Sequence, residues 1–106
     1  MSKEVGKLEQ AEIDDLKSQH GNLYQIKVQD DQGNTHYCYV KKPTLAVIGG
    51  AASYAQTDPV KSGMLMYNTL KVKSTDGIEN DDEMKLAVIG KIGEIFKVRE
   101  AELEKL

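Results

Sequence analysis

The sequence predicts one small α+β domain, because a β-hairpin pattern lies between stretches with helical patterns. Residues 23–41 hold two runs rich in aromatic and β-branched residues, separated by the turn-forming segment 30–34. The chain has 106 residues, of which 40% are apolar and 29% charged, as is typical of a single globular domain. We therefore expect an N-terminal helix, a two-stranded hairpin and three further helices, packed as one domain over residues 1–106.

The N-terminal part, residues 1–21, is predicted to form one amphipathic helix. From Ser2 to Gln19, apolar residues recur at helical spacing among charged ones. Gly21 follows, and glycine readily adopts the left-handed conformation that ends many helices. The predicted helix therefore stops just before the hairpin.

Both faces of the predicted hairpin, residues 23–41, are partly apolar. In its second strand, Tyr37 and Tyr39 share one face, while His36 and Cys38 share the other. We expect a helix to cover one face, and a further element or another subunit to cover the second.

Start signals divide the remaining part, residues 43–106, into three predicted helices. Proline at position 43 closes the second strand and precedes a helix over Thr44–Gln56. A short strand Leu45–Ile48 followed by a Gly-Gly turn is the competing interpretation. The segment Thr57–Pro59 marks the second start, because a capping side chain is followed directly by proline.

The third predicted helix is the longest and runs from Asp82 to about Lys105. Asn80 and Glu83 fit a capping box at its start. The segment before it, Lys71–Glu79, carries turn residues and no apolar period, so we expect a surface loop there.

Two glycines inside the third predicted helix, Gly90 and Gly93, predict a close helix crossing. Glycine costs roughly 1 kcal/mol relative to alanine inside a helix, and the close approach of a second helix is the usual compensation. The small residues Gly49–Ala51 of the first of the three helices are the expected partners.

Charge and cysteine content exclude several function classes. Fourteen Lys and Arg against seventeen Asp and Glu give a net charge of −3, which argues against a surface that neutralises nucleic-acid phosphates. One cysteine and two histidines supply neither an intramolecular disulfide nor a four-ligand zinc site. No apolar run reaches the roughly 20 residues that span a bilayer. We therefore expect a cytoplasmic protein without a metal, a cofactor or a membrane partner.

No constellation of residues predicts catalysis or nucleotide binding. The pairs of adjacent aspartates fall at a helix face, a turn and a helix start, where Asp is common for structural reasons. His36 and Cys38 share a strand face, but such neighbours lie about 7 Å apart, which suits a Cys-His nucleophile poorly. The pair Gly49-Gly50 matches neither a dinucleotide fingerprint nor a Walker motif. We expect neither an enzyme nor a small-molecule substrate.

The segment Val88–Gly93, a Gly-x-x-Gly sequence followed by basic residues, resembles the loop of KH RNA-binding domains. The resemblance implies an RNA-binding module that uses Gly90 and Gly93, which is the first alternative function. A KH loop joins two helices and leads to a further strand, whereas this chain continues with a helix-forming sequence. A small oligomeric structural protein is the second alternative.

A wider resemblance rests on the order and spacing of four segments. They lie at the end of the hairpin, at the starts of the second and third helices and in the closing helix: Val40–Pro43, Asp58–Lys61, Asn80–Glu83 and Lys97–Leu106. In this order, residues 24–106 resemble the tail assembly chaperones of tailed phages and prophages. The resemblance implies a non-enzymatic protein of the bacterial host cytoplasm. It would bind the tape-measure or tail-tube protein during tail assembly, through hydrophobic and helical contact.

A protein-binding function requires accessible apolar or aromatic side chains for the partner or for a second copy of the chain. Each candidate is also compatible with a place in the core. The candidates are Tyr37, Tyr39, Tyr54, Met64, Met66, Leu103 and Leu106.

Overall fold

A four-stranded sheet with helices on both faces forms the centre of the protein, in a computed structural model that describes residues 3–95 and 101–106. The predicted α+β class is confirmed. In chain order the elements are β1 (Glu4–Val5), α1 (Gln10–His20), β2 (Leu23–Gln29), β3 (Thr35–Lys41), α2 (Leu45–Ala52), α3 (Pro59–Leu70), β4 (Lys71–Lys73), α4 (Asp76–Glu79) and α5 (Asp82–Ile95).

The predicted hairpin is confirmed and provides the two longest strands, β2 and β3. They pair antiparallel from Leu23 opposite Lys41 to Gln29 opposite Thr35. The Asp30 carboxylate fixes the connecting turn, since its Oδ1 accepts the backbone N–H of both Gln32 and Asn34 at 2.9 Å. β3 lies inside the sheet, because β1 and β4 pair with successive parts of its other edge.

The two faces of the sheet belong to separate apolar clusters. The larger cluster lies between the sheet and helices α3, α4 and α5, and its fully buried side chains include Cys38, Val40, Tyr67 and Ile78. The smaller cluster lies under α1 and consists of Leu8, Tyr37 and Tyr39 with partly buried neighbours.

The N-terminal helix is shorter than predicted. The expected helix over Ser2–Gln19 begins only at Gln10, and Glu4–Val5 forms β1 instead, parallel to β3. Gly6 separates the two elements with a φ of 79°, a left-handed conformation that suits glycine. A Cβ on Gly6 would lie 2.5 Å from Cγ2 of Thr75, so this position also requires the absence of a side chain.

The helices α2 and α3 start where the sequence predicts. Thr44 caps α2, because its side chain accepts the N–H of Val47 at 3.3 Å. α2 ends at Ala52, four residues before the predicted Gln56, and the competing strand over Leu45–Ile48 is excluded. Asp58 caps α3 by accepting the N–H of Lys61 at 3.0 Å.

The prediction of a surface loop over Lys71–Glu79 is wrong. Lys71–Lys73 forms β4, which pairs antiparallel with β3, and Asp76–Glu79 forms the short helix α4. The Thr75 side chain caps α4 and is buried, and Ile78 is fully buried in the larger cluster. A three-residue strand and a one-turn helix are too short to show periodicity, so long-range pairing with β3 decides this segment.

The closing helix is shorter than predicted and starts at a different cap. α5 covers Asp82–Ile95, and Oδ1 of Asp81 accepts the N–H of Glu83 at 2.9 Å and of Met84 at 3.1 Å. The cap is therefore Asp81, one residue after the predicted Asn80. Of the remaining predicted helix, residues 96–100 lie outside the described part, and residues 101–106 are exposed and not helical.

The predicted crossing at Gly90 and Gly93 is also wrong. Within the described part of the chain, no heavy atom outside the local helix backbone lies within 4 Å of a Cβ built at either glycine, or at Gly49. The close approach lies at Gly63 of α3, which packs against Ile89 of α5. Residues 3–95 and 101–106 contain no helix that is long and apolar enough to cross a membrane.

Candidate functional site

An apolar groove between the N-terminal halves of α3 and α5 is the candidate protein-binding site. We call it the α3–α5 groove, and its volume is about 310 Å³. Its rims carry large apolar side chains that remain in solvent, since Val60 is 63% and Leu86 55% exposed. Its lining residues are Val60, Met64, Asp82, Lys85, Leu86 and Ile89.

Two caps and one glycine position the walls of the groove. Asp58 and Asp81 fix where α3 and α5 begin, so the first turns of both helices border the groove. Gly63 allows the two helices to pack closely, because a Cβ there would lie 2.6 Å from Cγ2 of Ile89. The close packing of Gly63 against Ile89 therefore forms the floor of the groove, and the side chains of Val60 and Leu86 lie on its rims.

One end of the groove is charged. Asp82 and Lys85 lie on the α5 side, and Lys85 Nζ is 3.8 Å from Oε2 of Glu79. The neighbouring Lys71 also pairs with Glu79. This Lys71 contact is the main cause of the lowered pKa of Glu79, which a hydrogen bond from Tyr67 lowers further. The groove thus combines an apolar surface with one basic side chain, Lys85, and one acidic side chain, Asp82.

The structure does not bring the seven predicted partner-binding residues together. Met64 lines the α3–α5 groove and is half-buried. Met66 is half-buried too, but it packs against the larger apolar cluster. Tyr54 is half-buried, and Nζ of Lys61 lies 4.4 Å from the centre of its ring.

The remaining four predicted residues fall at the two extremes of burial. Tyr37 and Tyr39 are 4% and 1% exposed, because α1 covers their face of the sheet, so a partner of the folded monomer cannot reach them. Leu103 and Leu106 are fully exposed in the C-terminal segment 101–106.

Sequence reasoning missed the rims of the groove. Leu86 falls between Met84 and Val88, which are buried in the larger cluster, so it lies away from the buried stripe of α5. An apolar residue outside the buried stripe of an amphipathic helix was the available signal. Leu45 on α2 is likewise a large apolar side chain on the surface, and it is 84% exposed.

His36 is held in a buried polar network instead of pairing with Cys38. Its Nε2 lies 3.0 Å from Oδ2 of Asp30, and its Nδ1 lies 2.8 Å from Oγ1 of Thr75. Burial alone would raise the pKa of Asp30, but hydrogen bonds from Asn34, His36 and Gln32 lower it to about 2. The Thr75 oxygen also accepts the N–H of Ile78 at 3.2 Å, so the network joins the hairpin turn to α4.

Cys38 lacks the features of a nucleophile. The side chain is fully buried, and burial raises the pKa of the thiol to about 11. Both nitrogens of His36 are bonded elsewhere, so the Cys-His geometry considered from the sequence is not formed. Among the residues that the structure describes, no group of three or more His, Cys, Asp or Glu side chains is placed to hold a metal ion.

The Gly-x-x-Gly segment does not form a loop. Gly90 and Gly93 both lie inside α5, which continues to Ile95. A KH-type site requires these glycines in a loop between two helices, so the loop that this resemblance implies is not formed.

Comparisons with known proteins bear on the fold. No family model matches the chain, and no curated protein matches it. A solved structure of an uncharacterised protein from Bacillus stearothermophilus is similar, with a TM-score of 0.58 and 18% sequence identity over 88% of this chain and 99% of that chain. At this identity the similarity establishes a shared fold.

Proposed function

We propose that the protein is a non-enzymatic binding protein whose α3–α5 groove holds an amphipathic helix of a partner protein. The observation that carries the proposal is the exposure of Val60 and Leu86 on the two rims of one apolar groove. Helices that dock in such grooves insert apolar side chains spaced three or four residues apart. Apolar residues of both helices line the groove, four residues apart on α3 (Val60 and Met64) and three apart on α5 (Leu86 and Ile89).

Burial of the rims supplies the driving force. The complete burial of one large aliphatic side chain contributes roughly 1.5–3 kcal/mol to the free energy of binding. Val60 and Leu86 are each about half-exposed, so their burial together contributes about as much as one such side chain. Met64 adds a flexible, polarisable side chain that adapts to the shape of the incoming residue. Asp82 and Lys85 favour a partner helix that carries the opposite charges beside its apolar stripe.

The resemblance of residues 24–106 to tail assembly chaperones supports a particular class of partner. We propose that the docked helix belongs to the tape-measure or tail-tube protein of a phage or prophage tail, bound in the host cytoplasm during assembly. An apolar groove that covers the exposed stripe of an amphipathic helix would keep such a helix from associating prematurely.

A binding titration tests this proposal. Overlapping helical peptides that tile the tape-measure and tail-tube proteins of a tail module are titrated against the full chain by isothermal calorimetry. We expect at least one peptide to bind, and the Leu86→Glu variant to bind it at least about tenfold more weakly, since a charge is placed on the apolar rim. Ala87→Glu is the matched control, because Ala87 is exposed on the same helix and does not line the groove.

Two results would contradict the proposal. One is that no peptide binds. The other is that Leu86→Glu and Ala87→Glu bind a peptide equally well, which would place the binding site away from the groove.

A further inference from the structure

The outer edge of β2 has no partner strand in the part of the chain that the structure describes. β2 has seven residues, contains neither proline nor glycine, and keeps a regular register with β3 along its whole length. No strand within residues 3–95 and 101–106 pairs with its other edge. Proteins normally blunt such edges with proline, bulges, very short strands or charged side chains. β2 has none of the first three, and its one charged side chain is Lys27.

The hydrogen bonds of the turn reveal which backbone groups point outward. The N–H of Asp30 donates to the carbonyl of Asn34 at 2.9 Å, so this pair faces inward, toward the partner strand of the hairpin. The N–H of Thr35 points the other way and donates to the carbonyl of Lys3 at 2.8 Å. Since inward and outward groups alternate along a strand, the outward N–H and C=O groups of β2 belong to Leu23, Gln25, Lys27 and Gln29.

We propose that β2 pairs antiparallel with β2 of a second copy of this chain, about a two-fold axis at Ile26. In this register Gln25 lies opposite Lys27 of the other copy, and Leu23 lies opposite Gln29. Every outward N–H and C=O of β2 then meets a complementary group, and the two sheets join into one. The pairing is isologous, so it closes at a dimer.

The side chains of β2 are self-complementary in this register. Tyr24 lies opposite Val28 and Ile26 lies opposite its own copy, all on the face that packs against the larger apolar cluster. On the other face Gln25 meets Lys27, so no like charges oppose each other. This complementarity of β2 with itself favours a second copy over an unrelated extended peptide.

A groove beside the axis strengthens the pairing. It lies between β2 and the C-terminal part of α5, has a volume of about 350 Å³, and is lined by Tyr24, Ile26 and Ile95 among other residues. Lys91 and Glu94 also line it, with side chains 63% and 68% exposed. Lys91 Nζ lies 3.3 Å from Oε1 of Glu94 in the same chain, so these two exposed charges balance each other at the groove. Pairing at β2 brings a second copy beside the apolar lining of this groove.

Sedimentation equilibrium of the full chain over a range of concentrations tests the proposal, with two variants at position 27. Lys27→Pro removes an outward N–H without touching the bonds to β3, and Lys27→Thr removes the same side chain but keeps the N–H. We expect a dimer for the wild type and for Lys27→Thr. For Lys27→Pro we expect a monomer with an unchanged far-ultraviolet circular dichroism spectrum.

A disulfide-trapping experiment tests the register itself and does not depend on the folding of the proline variant. Residues 25 and 27 of opposing strands face each other at about 5.5 Å between Cα atoms, within the range of a disulfide. An equimolar mixture of Gln25→Cys and Lys27→Cys should therefore form a cross-linked heterodimer faster than either protein alone. The buried Cys38 does not compete.

Three results would overturn the proposal: a wild-type protein that stays monomeric, a dimer that Lys27→Pro leaves intact, and a mixture that cross-links no faster than its components. If the protein is a monomer that binds extended peptides at β2, the edge binds a partner peptide and not a second copy of the chain.

Discussion

Gly63 of α3 packs against Ile89 of α5 so closely that a Cβ on Gly63 would lie 2.6 Å from Cγ2 of Ile89. A β-branched methyl group cannot move away without a change of rotamer or of helix spacing. The contact therefore sets the distance between the two helices and, with it, the shape of the α3–α5 groove.

Gly63→Ala should destabilise the protein, although alanine is the better helix former. Overpacking costs typically 1–3 kcal/mol, while the gain in helix propensity is about 1 kcal/mol. We expect a net loss of about 1 kcal/mol in the free energy of unfolding, measured by urea denaturation. Gly90→Ala is the matched control in open space and should gain about 1 kcal/mol. Equal gains in both variants would contradict the close contact.

Ile78→Ala should reveal that the segment before α5 belongs to the core. Ile78 is fully buried in the larger apolar cluster, and truncation of such a side chain costs about 2–5 kcal/mol. Val60→Ala serves as the comparison, because Val60 is mostly exposed and its truncation should cost less than about 0.5 kcal/mol. Urea denaturation of both variants checks the difference. If Ile78→Ala is as mild as Val60→Ala, the segment is a surface loop after all.

Asp30→Asn should lower stability in a manner that depends on pH. The pKa of Asp30 falls from 3.8 to about 2 in the folded protein, so the native state favours the ionised carboxylate. The stabilisation is therefore complete above about pH 3.8 and is lost as the pH falls through about 2. We expect the difference in urea midpoint between wild type and variant to be largest near neutral pH and to shrink across this window. A constant difference at every pH would contradict this account of Asp30.

The Cys38 thiol should be inert in the folded protein. It is fully buried, and burial raises its pKa to about 11, so both access and thiolate formation are suppressed. We expect a disulfide reagent to modify the native protein far more slowly than the urea-unfolded protein. Rapid modification of the native protein would show that the core around Cys38 opens easily and would revive a chemical role for the thiol.

Strong local signals explain the parts of the fold that the sequence predicts. The alternation in β2 and β3 and the capping sequences at Thr44 and Asp58 each act over a few residues, so they are visible without tertiary information. β1 and β4 are different, because strands of two and three residues exist only through pairing with β3. The local sign against a helix that reaches the N-terminus was the glycine at position 6, because glycine weakens a helical turn. The structure places Gly6 in a left-handed conformation between β1 and α1.

The candidate site was harder to predict, because exposure depends on which helix faces meet. Tyr37 and Tyr39 are aromatic residues of the kind that binding surfaces often contain, but α1 covers them. Met64, predicted from the sequence as a partner-binding candidate, lines the α3–α5 groove, and its role in binding stays a prediction. Leu86 was not predicted, although it falls outside the stripe that contains Met84 and Val88. The glycine contact was expected at Gly90 and Gly93 and occurs at Gly63, since the crossing point depends on the three-dimensional path of α3.

The most direct test of the central claim is site-specific photo-crosslinking from the α3–α5 groove in cells that assemble tails. A photoreactive residue is placed at position 86, and a matched control at Ala11, which is exposed on α1 at the other face of the sheet. If the groove holds a partner helix, position 86 will cross-link to one defined segment of the tape-measure or tail-tube protein and position 11 will not. Cross-links from position 11 alone, or from neither position, would contradict the claim.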